Sequence, residues 1–228
     1  MTTNHSALLL VGSGKPQGES TSEALGSYLL DRLAALGYLT KTAFVHRVLR
    51  TEDRTQEFLQ ELDAAGLFIL AFPLYVDTLP HLATRALERI AEHRQSDTPT
   101  SPTRFLAIAN CGFPEAEHNS TALAICRQFA VAAGFGWAGG LALGAGGALH
   151  GQPLAAAGGL ARNVTRALDL AAEAVAEGGT IPEEVAALMA QPLLPSRLYT
   201  LMGDFGWRWQ ARQNGVYRRL GARPFGPH

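Results

Sequence analysis

The chain has 228 residues, of which 47% are hydrophobic and 17% are charged, and its formal net charge at pH 7 is -1. This length and composition predict one large folded domain, or one domain with an appendage, and exclude a predominantly disordered chain. The near-zero charge provides no bulk attraction for nucleic acid, so we expect no nucleic-acid partner.

Apolar runs alternate with helical patterns along most of the chain, which predicts an α/β domain with a parallel sheet covered on both faces. Helices are predicted from about residue 25 to Gly37, at 56–64, from Pro80 onwards, from Asn119 or Ser120 to Ala133, and around 164–175. Residues 96–102 form a predicted polar loop. Five strands are predicted at 7–12, 39–45, 67–72, 105–109 and 137–143.

Cys111 and Cys126 have neither metal-ligand nor redox-motif spacing, so we expect reduced thiols, no metal site and a cytoplasmic protein. The N-terminal residues contain no long apolar segment, which argues against a secretory signal. Residues 129–149 are uncharged and about long enough to cross a membrane, but seven of them are glycines. Because glycine is a poor helix former, we interpret this segment as a buried strand followed by a glycine-rich loop and expect no membrane partner.

In a parallel sheet of this kind, ligands bind at the carboxyl ends of the strands. The loops that follow the first, third and fourth predicted strands are 12–22, 73–80 and 110–119. These three loops are therefore the candidates for a binding site.

The first loop lies in VGSGKPQGESTSEAL, residues 11–25, and has the glycine content of a phosphate-binding turn. A nucleotide-hydrolase P-loop needs glycine where Leu9 stands and serine or threonine where Pro16 stands. A dinucleotide-binding fingerprint needs glycine where Gln17 stands. Both of these assignments are therefore disfavoured.

Hydroxyl groups suggest a different phosphate site. Ser13, Ser20, Thr21 and Ser22 surround the turn and the start of the following helix, and Lys15 adds a positive charge. Together with the helix N-terminus, these groups suit a single phosphomonoester such as that of FMN. An ordinary helix N-cap with polar neighbours explains the same residues, and the loop alone leaves both interpretations open.

The second loop, PLYVDTLP, and the third loop, NCGFPEAEHN, bear on the choice between these interpretations. Together with the first loop they resemble the flavodoxin-like NAD(P)H-dependent FMN reductases over about residues 8–170. In that family the first strand is followed by a Ser-Pro-Arg-like turn and then by Gly-Asn-Ser/Thr. The third strand is followed by Pro-x-Tyr and a turn that ends in proline. The loop after the fourth strand borders the flavin ring. The corresponding residues here are Ser13, Gly14 and Lys15, then Gly18, Glu19 and Ser20, and finally Pro73, Tyr75 and Pro80.

The resemblance implies a flavodoxin-like, doubly wound, five-stranded parallel sheet that binds FMN. It also implies NADH or NADPH as electron donor, a quinone, azo, nitro or flavin compound as acceptor, a homodimer, and no obligatory acidic or basic catalytic side chain. Tyr75 would lie beside the ring, and backbone amides of residues 110–113 would point towards the ring oxygens. The implied cofactor-binding residues are Ser13, Lys15, Ser20, Thr21, Ser22, Pro73, Leu74, Tyr75, Val76, Asn110, Cys111, Gly112 and Phe113.

Two residues depart from the family pattern. Gly14 replaces the proline of the first turn, and Glu19 replaces the usual asparagine, where a carboxylate would repel a phosphate dianion unless it turned outward. Two other functions therefore stay open, namely an electron carrier and a flavin-free interaction module. The near-zero net charge and the long C-terminal segment are unlike small flavodoxin carriers, which tend to be acidic and shorter.

Residues 181–228 are interpreted as a helical and aromatic extension of the FMN-binding domain at 1–180, without being an independent domain. This extension is rich in aromatic residues and arginine, and we expect it to pack on its own domain or to reach a partner subunit. Its aromatic residues include Tyr199, Phe205, Trp207 and Trp209, and its arginines include Arg208, Arg212, Arg218 and Arg219.

Overall fold

The structure of the chain is a computed structural model that describes residues 5–96, 103–194 and 196–222, without the side chains of residues 196–200 and 202. The predicted polar loop at 96–102 lies outside these residues, apart from Ser96. The side chain of Tyr199 and the last six residues of the predicted extension also lie outside them.

Five parallel strands form one sheet in the order β2-β1-β3-β4-β5. This order confirms the predicted doubly wound α/β fold, and the order reverses direction between β1 and β3. The strands are β1 (Ser6–Val11), β2 (Leu39–Phe44), β3 (Leu67–Pro73), β4 (Arg104–Asn110) and β5 (Gly136–Leu143).

Eight α-helices occur in the described residues. The five predicted helices are present, together with α2, which is a single turn, and the short α7 and longer α8 of the C-terminal region. The helices are α1 (Thr21–Ala35), α2 (Val45–Val48), α3 (Glu52–Asp63), α4 (His81–Ser96), α5 (Ser120–Ala132), α6 (Arg162–Ala176), α7 (Glu183–Met189) and α8 (Ser196–Gln213).

Two predicted helix boundaries have different outcomes. Gly37 follows α1 with a φ of 88°, the left-handed conformation expected of a glycine that ends a helix. Asn119 occupies the N-cap position of α5, but its side chain makes no capping hydrogen bond. Its amide instead donates to the carbonyl oxygens of Ala116 and Leu143, at 3.0 and 3.2 Å, so Asn119 lies at the predicted start of the helix without capping it through its side chain.

The sheet is buried on both faces, which explains why its central strands are continuous apolar runs in the sequence. Alternate side chains enter two separate cores. Leu9 and Ile69 pack with α1, α6 and α7 on one face, whereas Phe68 and Phe105 pack with α3, α4 and α5 on the other. The rings of Phe68 and Phe105 are stacked with their centroids 5.1 Å apart.

Contacts between residues divide the chain into two compact units, Met1–Leu193 and Leu194–His228. The first unit includes α7, which lies beyond the predicted boundary at residue 181 and contacts β5 and α6. The backbone N–H of Ile181 donates to the carbonyl of Ala138 in β5 at 2.8 Å. The division of the chain into a binding domain and an extension stays a prediction.

The second unit consists of α8 and a short 3-10 turn at Tyr217–Arg219. Ala211 is buried, and the Arg212 guanidinium lies over the ring of Tyr217, 4.8 Å from its centroid. Across the part of the chain that the structure describes, no helix combines the length and the apolar character that crossing a membrane requires.

Candidate functional site

A cleft of about 190 Å³ lies at the carboxyl ends of β1, β3 and β4. The three loops singled out from the sequence meet there because neighbouring parallel strands end at the same edge of the sheet. Eleven of the thirteen predicted site residues line the cleft, whereas Val76 and Phe113 do not. The lining residues are Ser13, Lys15, Ser20, Thr21, Ser22, Pro73, Leu74, Tyr75, Asn110, Cys111, Gly112 and the unpredicted Gly147.

One end of the cleft has groups whose chemistry suits a phosphate. Ser20 is buried at the N-cap of α1, and its hydroxyl makes no capping hydrogen bond. The first bond of the helix runs from the N–H of Ala24 to the carbonyl of Ser20 at 3.0 Å. The N–H groups of residues 21–23 precede that bond, so helix geometry directs them towards the N-terminal end. Lys15 supplies a positive charge beside them.

The other three hydroxyl groups of the first loop, residues 12–22, which we call the phosphate loop, make hydrogen bonds within the protein. The Thr21 hydroxyl donates to the carbonyl of Gly146 at 2.9 Å. The Ser22 hydroxyl accepts a hydrogen bond from the side-chain amide of Asn110 at 2.8 Å, and that of Ser13 accepts one from the N–H of Lys15 at 3.2 Å. Ser20 is therefore the hydroxyl most available to a ligand.

The carboxylates near the phosphate loop differ in position. Glu19 is exposed and does not line the cleft. Glu23 accepts a hydrogen bond from the N–H of Gly18 at 2.7 Å. This bond occupies one backbone donor of the turn but stabilises the turn itself, in which Gly18 has a φ of 86°.

The second loop is a tight hairpin. Tyr75 and Thr78 exchange backbone hydrogen bonds of 3.0 and 3.3 Å, and the two residues between them, Val76 and Asp77, both have left-handed φ values of 50° and 61°. The Val76 side chain at the tip is 95% exposed, which places it outside the cleft. Tyr75 is half exposed at the rim and offers a ring face and a hydroxyl to a ligand.

Several backbone amides beside the cleft have partners within the protein. The N–H of Leu74 donates to the carbonyl of Asn110 at 2.7 Å, and the N–H of Cys111 donates to that of Leu143 at 3.0 Å. The resemblance implied that the amides of residues 110–113 face a flavin ring. For Cys111 that expectation is wrong, because extension of the sheet past the end of β4 uses its N–H.

The described side-chain contacts of Asn110 and Phe113 in the third loop are with other parts of the protein. Asn110 is buried, and its side-chain amide donates both to the Ser22 hydroxyl at 2.8 Å and to the Phe72 carbonyl at 3.1 Å. Phe113 is 56% exposed and packs against the ring of His118, with centroids 4.4 Å apart, so it lies outside the cleft.

Cys111 lines the cleft as a protonated thiol. Its side chain is buried, and its sulfur lies 3.4 and 3.5 Å from the carbonyl oxygens of Phe113 and Glu115. Burial raises the pKa of this thiol above its ordinary value. The side chain therefore lacks the thiolate character that a reactive cysteine needs.

The loop that follows β5 also borders the cleft, although it was not predicted to do so. Gly147 lines the cleft, and a Cβ atom at Gly146 would lie 2.7 Å from the Asn110 side-chain oxygen. A Cβ atom at Gly151 would lie 2.4 Å from the backbone of Glu19, so this loop lies directly against the phosphate loop. The signal was present, since this glycine-rich segment also follows the carboxyl end of a strand.

The residues of the cleft fit a phosphorylated ligand such as FMN. The unused Ser20 hydroxyl, the first turn of α1 and Lys15 suit a phosphate, and Pro73, Leu74 and Tyr75 offer a partly apolar wall. Pockets that enclose a small ligand measure about 300–1,000 Å³, so this cleft encloses only part of FMN and leaves the rest at its open side. In the described residues, no group of three or more His, Cys, Asp or Glu side chains is arranged to hold a metal ion.

No protein-family model matches the chain, and no curated protein matches its sequence. Solved structures do match its fold. An FMN-dependent NADH-azoreductase from Bacillus anthracis in complex with FMN is 13% identical, with a TM-score of 0.55 over 75% of this chain and 99% of that one. A flavone reductase is 10% identical, with a TM-score of 0.55 over 76% of this chain and 62% of that one.

Rubredoxin oxygen:oxidoreductase from Desulfovibrio gigas is 15% identical, with a TM-score of 0.53 over 82% of this chain. The match spans only 37% of that protein. At these identities the matches establish the fold. The chain therefore has the flavodoxin-like fold that the resemblance of its loops predicted.

Proposed function

We propose that this protein is an FMN-dependent oxidoreductase that takes electrons from NADH or NADPH and passes them to a small acceptor. The observation that carries the proposal is the convergence of eleven predicted residues on one cleft at the carboxyl ends of β1, β3 and β4. The azoreductase and flavone reductase that share the fold support an oxidoreductase. Quinone, azo, nitro and flavin compounds are the proposed acceptors.

The chain's own residues bind and orient the cofactor in this proposal. Ser20, Lys15 and the first turn of α1 hold the phosphate, and Tyr75 borders the ring. Bound FMN would supply the redox chemistry, namely the acceptance of hydride from the nicotinamide and the transfer of electrons to the acceptor. The ionisable side chains that line the cleft are those of Lys15, Tyr75 and Cys111, and the last is held protonated by burial.

A second candidate is a flavin-free binding module. The engaged amides of Leu74 and Cys111 favour it, as does the small volume of the cleft. An electron carrier would bind the same cofactor without accepting hydride from NADH or NADPH. We also propose a homodimer, and the cytoplasmic location expected from the sequence stays a prediction.

Absorbance spectroscopy separates these functions. We expect the purified protein, after incubation with FMN and desalting, to retain a stoichiometric flavin spectrum that NADH or NADPH bleaches. An acceptor such as a small quinone should then restore the oxidised spectrum and support turnover. A retained spectrum without bleaching would identify a carrier, and a colourless protein after desalting would identify the flavin-free module.

A further inference from the structure

The loops that border the candidate cleft are acidic. The phosphate loop and the second and third loops contain four carboxylates and one ammonium group, those of Glu19, Asp77, Glu115, Glu117 and Lys15. The loop after β5, residues 144–153, adds no lysine, arginine, aspartate or glutamate. These four loops therefore have a net charge of -3, although the charge of the whole chain is close to zero.

The negative charge of Glu115 acts directly on the cleft. The backbone carbonyl of Glu115 lies 3.5 Å from the sulfur of Cys111, which lines the cleft. Burial raises the pKa of the Cys111 thiol, and the charge of Glu115 acts in the same direction. The Glu115 carboxylate lies 3.9 Å from Nε2 of His118, which is beyond hydrogen-bond distance. Glu115 therefore contributes negative potential to the cleft.

Asp77 and Glu117 extend the acidic region around the mouth of the cleft. Both side chains are exposed, and the ion pairs of the described residues include neither of them. Consecutive Cα atoms are about 3.8 Å apart, so Asp77 lies within about 8 Å of Tyr75, and Glu117 within about 8 Å of Glu115. The Debye length is about 30 Å at roughly 0.01 M ionic strength, so at low salt these charges act on a ligand at the mouth.

A phosphate in the cleft would leave these carboxylates without a compensating charge. In the proposed function Lys15 lies beside the phosphate of FMN, and a phosphomonoester has a charge of about -1.5 to -2 at pH 7. The single ammonium group of these loops is then offset by the phosphate. A second anion that approached the flavin ring would meet an uncompensated negative potential.

Apolar side chains lie at the same mouth. Tyr75, Val76 and Phe113 are all exposed. Tyr75 lines the cleft and is followed by Val76, and Phe113 follows Gly112, which also lines the cleft. An uncharged aromatic ring can contact these side chains without bringing a charge into the acidic region.

We propose that the cleft takes uncharged aromatic electron acceptors, such as simple quinones, and discriminates against anionic ones, which include free FMN and sulfonated azo compounds. The acidic loops supply the repulsive element that specificity requires, and the exposed apolar side chains supply the attractive one. The inference rests on the proposed function and narrows its acceptors. Reduction of a quinone to a hydroquinone takes up two electrons and two protons, which reduced FMN gives up when it returns to its oxidised form.

Reoxidation of the reduced protein tests the acceptor step without NADH or NADPH. The FMN-loaded protein is reduced with one equivalent of dithionite and mixed in a stopped-flow instrument with para-naphthoquinone or with its sulfonate derivative. The return of the oxidised flavin absorbance gives a second-order rate constant for each quinone. Because salt screens repulsion, we expect the rate constant for the sulfonate to rise at least threefold between about 10 and about 300 mM salt, and that for the uncharged quinone to stay constant.

Removal of the carboxylates should affect only the anionic acceptor. D77N/E115Q/E117Q should raise the rate constant for the sulfonate about tenfold at about 10 mM salt and leave that for the uncharged quinone unchanged. Glu19 stays in place because it adjoins the proposed phosphate site. Isothermal titration calorimetry of the oxidised protein, which binds the quinones without reducing them, should show the same contrast in dissociation constants.

E173Q/E177Q/E183Q is the matched control. It removes as many exposed carboxylates, but from the end of α6 and the start of α7. The end of α6 lies at the amino edge of the sheet, because the guanidinium of Arg104, at the start of β4, donates to the carbonyl of Val175 at 2.9 Å. This variant should leave both rate constants at the wild-type values.

Other results would contradict the inference. A rate constant for the sulfonate that fell with salt would indicate a positively charged mouth. A D77N/E115Q/E117Q protein that changed neither rate constant, or changed both by the same factor, would remove the carboxylates from acceptor selection. A protein that retains no FMN would contradict the proposed function and the inference together, whereas a flavoprotein whose two rate constants share one salt dependence would contradict the inference alone.

Discussion

The side-chain amide of Asn110, at the end of β4, donates a hydrogen bond of 2.8 Å to the hydroxyl of Ser22, in the first turn of α1. The same amide donates to the carbonyl of Phe72 in β3 at 3.1 Å. One buried side chain thus joins β4, β3 and α1, which all border the candidate cleft. Asn110 also lines the cleft, so its predicted contact with a cofactor stays a prediction beside this positioning role.

We predict that Asn110→Ala lowers the free energy of unfolding by about 2–3 kcal/mol, because it leaves a buried hydroxyl and a buried carbonyl without their donor. Urea denaturation measures the change. Ser22→Ala should cost less, since the Asn110 amide keeps Phe72 as a partner. If the two substitutions proved strictly additive in the double variant, the Asn110–Ser22 bond would contribute nothing to stability.

The Ser20 hydroxyl should bind the FMN phosphate, because no helix cap uses it. We predict that Ser20→Ala weakens FMN binding at least tenfold, about 1.4 kcal/mol, and leaves riboflavin binding unchanged. Fluorescence titration with both ligands measures the difference. Thr21→Ala is the matched control, since its hydroxyl donates to Gly146, and it should affect the two flavins equally. An equal loss for both flavins in Ser20→Ala would contradict the phosphate assignment.

The hairpin at 75–78 should be strained. Val76 and Asp77 adopt φ values of 50° and 61°, which suit the Asn-Gly pair of a type I′ turn and not a β-branched residue. We predict that V76N/D77G raises the free energy of unfolding by about 1 kcal/mol. Val76→Ala should recover only part of this gain, because alanine removes the β-branch but keeps a Cβ atom at a left-handed φ. Chemical denaturation of the three proteins tests this, and a destabilised V76N/D77G would contradict it.

Gly151 should be essential for the shape of the phosphate loop. Its φ is 68°, and a Cβ atom there would lie 2.4 Å from the backbone of Glu19. We predict that Gly151→Ala lowers FMN affinity at least tenfold by displacing that backbone. Gly178→Ala is the control, because Gly178 also has a left-handed φ, 80°, but no described atom lies within 4 Å of its Cβ position. Similar FMN affinities for the two variants would refute the steric explanation.

Because Cys126 is buried, it should lower the free energy of unfolding at alkaline pH. Burial raises the pKa of Cys126 to about 12, from an ordinary value of 9.0. Between these pH values the unfolded chain has lost the thiol proton and the folded chain still holds it, so the free energy of unfolding falls as pH rises. Below pH 9 both states hold the proton, and the full stabilisation is present.

We predict that Cys126→Ala removes a slope of roughly 1 kcal/mol per pH unit above pH 9. Urea denaturation at pH 7, 8, 10 and 11 measures the difference between wild type and variant. That difference should be constant at the two lower values and shrink at the two higher ones. A constant difference over the whole range would show that Cys126 titrates alike in both states.

The sheet could be predicted because its central strands are covered on both faces. Segments such as LFILAF in β3 are continuous apolar runs, because a strand that is covered on both faces buries successive side chains. The single-turn helix α2 and the short α7 escaped prediction, because one or two turns give too few residues for a periodic pattern.

The sequence by itself determined the succession of strands and helices along the chain. It also determined the three loops and their chemistry, since apolar runs and turn residues are local signals. Only the tertiary structure decided which groups remain for a ligand. Thr21 meets Gly146 across 125 residues, and Ser22 meets Asn110 across 88. Such hydrogen bonds depend on how the strands are ordered in space, and no local pattern encodes which hydroxyl they leave unused.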